Sequence, residues 1–472
     1  MGMNLTIGQI VEATGGRLVY HGPESELQEF PDRQVDSVVL DSRQVTVGGV
    51  FVATVGERVD GHSFVASVFE KGAALAVVQR EPQETEHWGS YLLVEDTLQA
   101  LKDVGECYRK TLSIPIVGIT GSVGKTSTKE FIAGVLSEKY NVLKTQGNYN
   151  NEIGVPLTLL RIREEHEAAV IEMGISDFGE MHRLSKMARP DIAVITNIGQ
   201  CHLENLKDRD GVLKAKTEIF DFMSPEGVIC MNGDDDKLRT VTPTESRELH
   251  FFGIDHVEQT SVYATDIVKK GLWGSDAVLH NSRGESYGVK VTLPGAHMVL
   301  NATAAACVAE VLGLTPEEIQ AGLEKVAAIG GRNNLIRTET LTLIDDCYNA
   351  NPVSMKAGID LLCMADTGKI AILGDMFELG ENSDGMHADV GTYAAGKNID
   401  GLICVGENSR HMYEAASAKA AGCRVCYFAS REALLSSLRE KRGELLPEGA
   451  TVLIKASHGM HFEEVVELLK NK

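Results

Sequence analysis

Short apolar runs alternate with amphipathic stretches along the whole chain, and that alternation sets the first expectation. Apolar, β-branched runs at residues 38–40, 49–53, 74–78 and 91–94 flank a helical stretch at 63–71 and a loop-like segment after Gln79 that contains Pro82. The pattern reads as a small α/β unit. Residues 96–111 carry apolar positions at helical spacing and lead into a region whose runs are longer and more purely apolar. There, 114–120, 168–173, 192–197 and 227–232 read as strands, with a helix at 126–139. Apolar strands separated by helices predict a mostly parallel sheet covered on both faces. Residues 246–293 instead show β-branched alternation and Gly-rich turns, which predicts appended antiparallel strands before helices at 301–312 and 316–326.

Ile329-Gly330-Gly331 breaks the helical pattern. Beyond it, strands at 342–345, 370–374, 401–405, 424–428 and 451–455 alternate with helices, as in a doubly wound domain. The expected fold is α/β in three domains: a small N-terminal α/β domain at 1–96, a central parallel-sheet domain at 97–327, and a Rossmann-like domain at 328–472.

Composition narrows the partners. The net charge of −22, from 45 basic and 67 acidic residues, repels phosphate backbones and anionic lipid, so neither nucleic-acid binding nor membrane insertion is expected. A small anionic substrate then needs a local basic or amide-lined pocket. No run reaches the roughly 20 apolar residues that span a bilayer, and no basic-then-apolar leader opens the chain, so a cytoplasmic location is expected, with a monomer as the default. The nine scattered cysteines read as reduced thiols, and the Cys423/Cys426 pair, lacking further ligands at suitable spacing, reads as strand packing.

The strongest chemical signal is Gly118-Ile-Thr-Gly-Ser-Val-Gly-Lys-Thr126, between a predicted strand and a predicted helix. Its glycines let backbone N–H groups turn toward phosphate oxygens, the helix N-terminus adds positive potential, and Lys125 reaches the terminal phosphates. Thr126 is placed to bind Mg²⁺. Ile119 stands where the strict phosphate-loop pattern has its first glycine, so the match is to the T-G-[ST]-x-G-K-[ST] variant. A nucleoside triphosphate is the expected ligand, and the loop alone suits a kinase, an ATPase or a ligase equally. Glu172 and His202 each follow a predicted strand, at the carboxyl ends where open parallel sheets bind ligands. Glu172 is as well explained by a Mg²⁺ site as by a solvent-exposed strand end, and a single histidine such as His202 more often has a local role. Lys216 lies among Leu213, Ile219 and Phe220 on an amphipathic stretch, which by composition alone reads as a solvated lysine.

Taken together and in order, several segments resemble the Mur ligase family, whose members form peptide bonds on cell-wall precursors with ATP. They are Asp41-Ser-Arg43, Gly48-Gly49-Val-Phe51, Asp60-Gly-His62, the phosphate loop, Thr145-Gln-Gly-Asn-Tyr-Asn-Asn-Glu-Ile-Gly-Val-Pro156, Glu172, Thr196-Asn197 with His202, and Ala215-Lys216. His297 with Asn301, Asp346-Cys-Tyr-Asn-Ala-Asn-Pro352 and Leu373-Gly-Asp-Met-Phe-Glu-Leu-Gly380 complete the series. The G-N-Y-N-N and Y-N-A-N-P segments resemble the branch that adds D-alanyl-D-alanine to UDP-N-acetylmuramoyl-tripeptide, and these two small molecules are the implied substrates. The resemblance implies ATP contacts from Gly121, Ser122, Gly124, Lys125, Thr126, Ser127, Asn301, Arg332 and Asp346. It implies two Mg²⁺ ions held by Thr126, Glu172, His202 and a Lys216 carbamylated by CO₂, so that Lys125, Lys216, Glu172 and His202 form the catalytic set. Ser42, Arg43, Asp60 and His62 would hold the UDP-sugar, while Asn148, Asn151, Asn349 and Asn351 would contact the remaining substrate groups. One departure is His458, in Lys455-Ala-Ser-His-Gly-Met, where the family tends to carry arginine.

Overall fold

The computed structural model describes residues 3–56, 59–83, 85–199, 201, 203–242, 246–326, 334–377, 379–419 and 422–471. Its three sheets have five, nine and six strands, in the mixed α/β class that the apolar pattern predicts. By internal contacts the chain forms two compact units. One comprises Met1–Asp266, Val278–Val289 and Val299–Glu324, and the other Ile267–Ala277, Lys290–Met298 and Lys325–Lys472.

The first unit contains the five-stranded sheet, ordered Arg17–Val19, Tyr91–Leu93, Leu75–Val78, Val50–Val52, Val38–Val39. Its first pair is antiparallel and the others are parallel. The helix Thr97–Thr111 starts where Asp96 accepts from the Leu98 N–H at 2.8 Å. It ends with Arg109 buried, whose guanidinium donates to the carbonyls of Ala188 and Arg189 at 2.8 Å and to Asp191 at 2.9 Å.

The large sheet has Ile116–Thr120 near one end, flanked by Ala168–Glu172 and Ile192–Ile195, then Val228–Asn232 and Glu248–Gly253, all parallel. Ile116–Thr120, Ala168–Glu172 and Ile192–Ile195 are buried at every residue, as strands covered on both faces must be. The expectation of antiparallel strands from residue 246 onward is corrected here: Glu248–Gly253 pairs parallel with Val228–Asn232, and Val262–Lys269 begins parallel to it at Phe252↔Val262. Among the described residues the two crossovers carry single 3₁₀ turns, Leu238–Thr240 and Val257–Gln259, and no helix of the kind that signals parallel pairing in sequence.

In the second unit the sheet runs Asn334–Arg337, Thr342–Asp345, Thr451–Lys455, Lys369–Gly374, Gly401–Val405, Arg424–Phe428. Only the first pair is antiparallel. Strand alternation sends Ala371 and Leu373 to a core under Pro352–Leu362, Ser383–Ala395 and Ser409–Lys419, and Ile370 and Ile372 to a core under Arg431–Leu445 and Glu463–Lys470. This is the doubly wound arrangement. Among the described residues, no helix is long and apolar enough to cross a membrane.

Candidate active site

Ile116–Thr120 and Ala168–Glu172 lie side by side with Ile119 opposite Glu172, so the phosphate loop and Glu172 leave the sheet at the same edge. Gly121 adopts φ 153°, and a Cβ there would fall 1.9 Å from Thr196 Oγ1, which is why only glycine fits. Gly124, at φ 81°, opens the helix Lys125–Leu136. The neighbouring strand end clasps the loop. Asn197 Oδ1 accepts from the Ser122 and Val123 N–H groups, both at 3.0 Å, while Thr196 Oγ1 donates to the Val123 carbonyl at 2.8 Å. Lys125 Nζ donates to the Gly121 carbonyl at 2.9 Å, and Ser127 lies half-buried on the first turn. Asn301 accepts from Thr128 Oγ1 at 3.0 Å, which sets it against the same helix.

Glu172 is 2 % exposed. Its Oε1 accepts from Thr126 Oγ1 at 3.2 Å and from Asn150 Nδ2 at 2.8 Å, and its own N–H donates to Thr145 Oγ1 at 2.9 Å. Among the described residues its Oε2 is buried with no hydrogen bond, and the Lys129 ammonium stands 3.8 Å away. A carboxylate oxygen left free beside the phosphate loop and a threonine hydroxyl has the donor chemistry of a Mg²⁺–nucleotide site. Among the described residues no group of three or more His, Cys, Asp or Glu side chains is placed to hold a metal ion.

Lys216 is 1 % exposed on the helix Arg209–Thr217, and its ammonium makes no hydrogen bond or ion pair among the described residues. Burial, and then the nearby positive charge of Lys125, push its ammonium down to about 8. A buried lysine that readily loses its proton is the form that reacts with CO₂.

Beside this cluster lies a cavity of about 610 Å³, lined by Lys125 at one side and by Lys102, Asn150, Asn151, Ile153, Ser176 and others. Asn151 accepts from the Ile153 and Gly154 N–H groups at 3.1 and 2.9 Å, and it and Asn148 are exposed on the same loop. In the turn after Val38–Val39, Arg43 forms a bidentate pair with Asp41, holding that carboxyl down to about 2, and Ser42 offers its carbonyl to Lys71. His62 is buried, with Nδ1 2.6 Å from Asp60 and Nε2 accepting from the Gln79 N–H at 3.0 Å, so its ring is committed to the protein itself.

In the second unit, Lys455 Nζ lies 2.6 Å from Asp346 Oδ2 and donates to the Asn349 carbonyl at 2.9 Å, both partners sitting at the carboxyl ends of adjacent parallel strands. Asn351 caps the helix Pro352–Leu362, accepting from Ser354 N–H at 2.8 Å, and Asn349 accepts from the Ala350 N–H at the same distance. His458 is exposed, its ring 6.0 Å from that of Tyr348. His202 and Arg332 lie outside the described residues.

Four residues of this geometry were not singled out from sequence: Asn150, Asn197, Thr145 and Lys129. The first three stand inside quoted motifs, where their neighbours drew the attention. Lys129 has only its spacing, four residues after Lys125, to place it on the same helix face.

Phosphate loop, strand-end carboxylate and parallel sheet define a nucleotide-binding α/β protein. Family models narrow this further: a Mur ligase middle domain matches residues 119–309, a Mur ligase glutamate ligase domain 331–458, and a Mur ligase family catalytic domain 34–104. The chain is 35 % identical to the Bacillus subtilis UDP-N-acetylmuramoyl-tripeptide–D-alanyl-D-alanine ligase over 93 % of this chain and 94 % of that one. A crystal structure of MurF from Acinetobacter baumannii matches with TM-score 0.85 and 34 % identity, covering 99 % of both chains. MurF from Thermotoga maritima in complex with ADP matches with TM-score 0.74 and 29 % identity over 92 % of this chain and 97 % of that one. The chain belongs to the Mur ligase family.

Proposed function

We propose that this chain joins D-alanyl-D-alanine to UDP-N-acetylmuramoyl-tripeptide with ATP, yielding the pentapeptide precursor, ADP and phosphate. The observation that carries the reading is the cavity beside Lys125, which gives a carboxylate room to meet the terminal phosphate of a nucleotide on the loop. Full-length likeness to ligases named for this reaction supports the choice of substrates.

The carboxylate of the tripeptide's third residue attacks the γ-phosphorus, the bond to the β-phosphate oxygen breaks, and ADP leaves with that electron pair. The dipeptide amine then attacks the acyl-phosphate carbonyl, loses a proton, and expels phosphate. Two anions must approach each other in the first step, so positive charge at the transferring group is the main requirement. Lys125 supplies one such charge from the loop. Thr126, Glu172, His202 and a carbamylated Lys216 would hold two Mg²⁺ ions, which when bound neutralise phosphate charge. The free Glu172 Oε2 and the buried, easily deprotonated Lys216 suit that task. Gly121, Ser122, Gly124 and Ser127 would cradle the phosphates, and Asn301, Arg332 and Asp346 would contact the nucleotide. Ser42, Arg43 and Asp60 would hold the UDP-sugar, with His62 fixing Asp60 from behind. Asn148 and Asn151 would order the loop beside the acceptor carboxylate, and Asn349 and Asn351 the loop facing the dipeptide. Water must be kept from the acyl phosphate, a task suited to closure around bound substrates.

The test is phosphate release from Mg·ATP and UDP-N-acetylmuramoyl-tripeptide, with and without D-alanyl-D-alanine, with the product followed by mass. Release that needs both substrates, with a product heavier by one dipeptide, is expected. Release indifferent to the dipeptide would overturn the reading.

A further inference from the structure

Lys129 is 2 % exposed, which for a lysine needs a reason. It lies one turn beyond Lys125 on the phosphate-loop helix, and its ammonium meets three groups from three places in the chain. Nζ donates to the Thr145 carbonyl at 2.8 Å, stands 3.2 Å from Glu130 Oε1, and stands 3.8 Å from the free Glu172 Oε2. Glu130 is itself paired with Lys144, so its charge is already shared. Thr145 also receives the Glu172 N–H on its hydroxyl and begins the loop that carries Asn150, which holds the other oxygen of Glu172 at 2.8 Å. Asn151 and Ile153 of that loop line the cavity beside Lys125.

We infer that Lys129 is a positioning residue, whose buried ammonium locks Glu172 and the base of the 145–153 loop into one arrangement and so couples ion binding at Glu172 to the ordering of the acceptor loop. The inference rests on the reading of Glu172 as a metal carboxylate. Any shift of Glu172 passes through Lys129 and Asn150 to the same loop. Partners that orient a ligating carboxylate typically change metal affinity about 10–100-fold when removed.

The test uses Lys129→Gln, which retains a donor toward Thr145 but removes the charge, together with Glu172→Gln and the double variant. Mn²⁺ binding in the presence of ADP is read by electron paramagnetic resonance, with no turnover involved. K129Q is expected to weaken Mn²⁺ binding about tenfold or more, and the double variant to bind no more weakly than E172Q alone. Hydrogen exchange on the unaltered chain gives a second readout: Mn²⁺ with ADP is expected to slow exchange at 145–154 beyond ADP alone. Near-parental Mn²⁺ affinity in K129Q, independent multiplying losses in the double variant, or exchange at 145–154 indifferent to the ion would each overturn the coupling. If K129Q does not fold, the exchange result decides. Parental Mn²⁺ binding by E172Q would instead sink the metal reading itself.

Discussion

Replacing Lys216 with methionine removes a charge that the fold holds at a cost, and the cost follows from its burial. An ordinary lysine titrates near about 10.4, whereas the folded protein holds Lys216 at about 8, because burial and then Lys125 disfavour its charged form. A gap of about 2.4 pH units corresponds to roughly 3 kcal/mol at about 1.36 kcal/mol per unit. The sign follows from proton counting. Below pH 8 both folded and unfolded chains carry the proton, and the full penalty burdens the folded state. Between about 8 and 10.4 the folded chain has shed the proton while the unfolded chain keeps it, so stability rises with pH. Above that window the penalty is gone. Lys216→Met is therefore expected to be more stable than the parent by up to about 3 kcal/mol at pH 7 in CO₂-free buffer. The gap should close as pH rises through the same window, while ligase activity is lost throughout. Urea unfolding at a series of pH values measures both quantities. A parent at least as stable as K216M at pH 7, or a gap that ignores pH, would refute the reasoning. The same depression leaves about one lysine in ten neutral at pH 7, so ¹³C-labelled bicarbonate should give a carbamate resonance in the parent that is missing from K216M.

Other outcomes follow from individual contacts. Gly121→Ala drives a methyl group into Thr196 Oγ1, so nucleotide affinity should fall at least about tenfold in a fluorescent-nucleotide titration, roughly the effect of 1.4 kcal/mol; unchanged affinity would contradict the close approach. Arg109→Ala strands the Ala188 and Arg189 carbonyls, at about 1–3 kcal/mol each, and should lower unfolding stability by about 2–5 kcal/mol. A loss under about 1 kcal/mol would mean the guanidinium is not the anchor it looks to be. Asp346→Asn leaves the Lys455 ammonium buried without its carboxylate, so a destabilisation of similar size is expected by denaturant unfolding, and a neutral result would argue against the pair. Asn351→Ala removes a helix cap for about 1 kcal/mol, and Asn351→Asp should restore it.

The parallel strands were legible because burial on both faces leaves an unbroken apolar run, as at Ile116–Thr120 and Gly401–Val405. The short edge strands Arg17–Val19 and Val142–Lys144 were not, since three residues half-buried at a sheet margin carry no such run. Parallel pairing at Glu248–Gly253 is not legible in the sequence because the described part of its crossover carries a 3₁₀ turn and no helix. At the site, the phosphate loop announced itself through glycine and lysine spacing. Burial of Lys216 did not: Lys214 and Lys216 share one amphipathic helix, and only packing decides that the second is enclosed. Lys129 was hidden for the same reason, as a helix sequence does not say what lies opposite a given face.

A single apolar core runs from Met3, Ile10 and Leu92 in the N-terminal sheet through Leu101 and Val104 to Ile116, Ala169 and Leu184 under the central one. Arg163 of the central region also donates to the Asp36 carbonyl at 3.2 Å. A chain cut near residue 96 would end with its share of that interior facing water, so the small sheet is not a detachable module. Heat or denaturant should melt both sheets in one transition, and a lesion in the five-stranded sheet should be felt as lost solubility of the nine-stranded one.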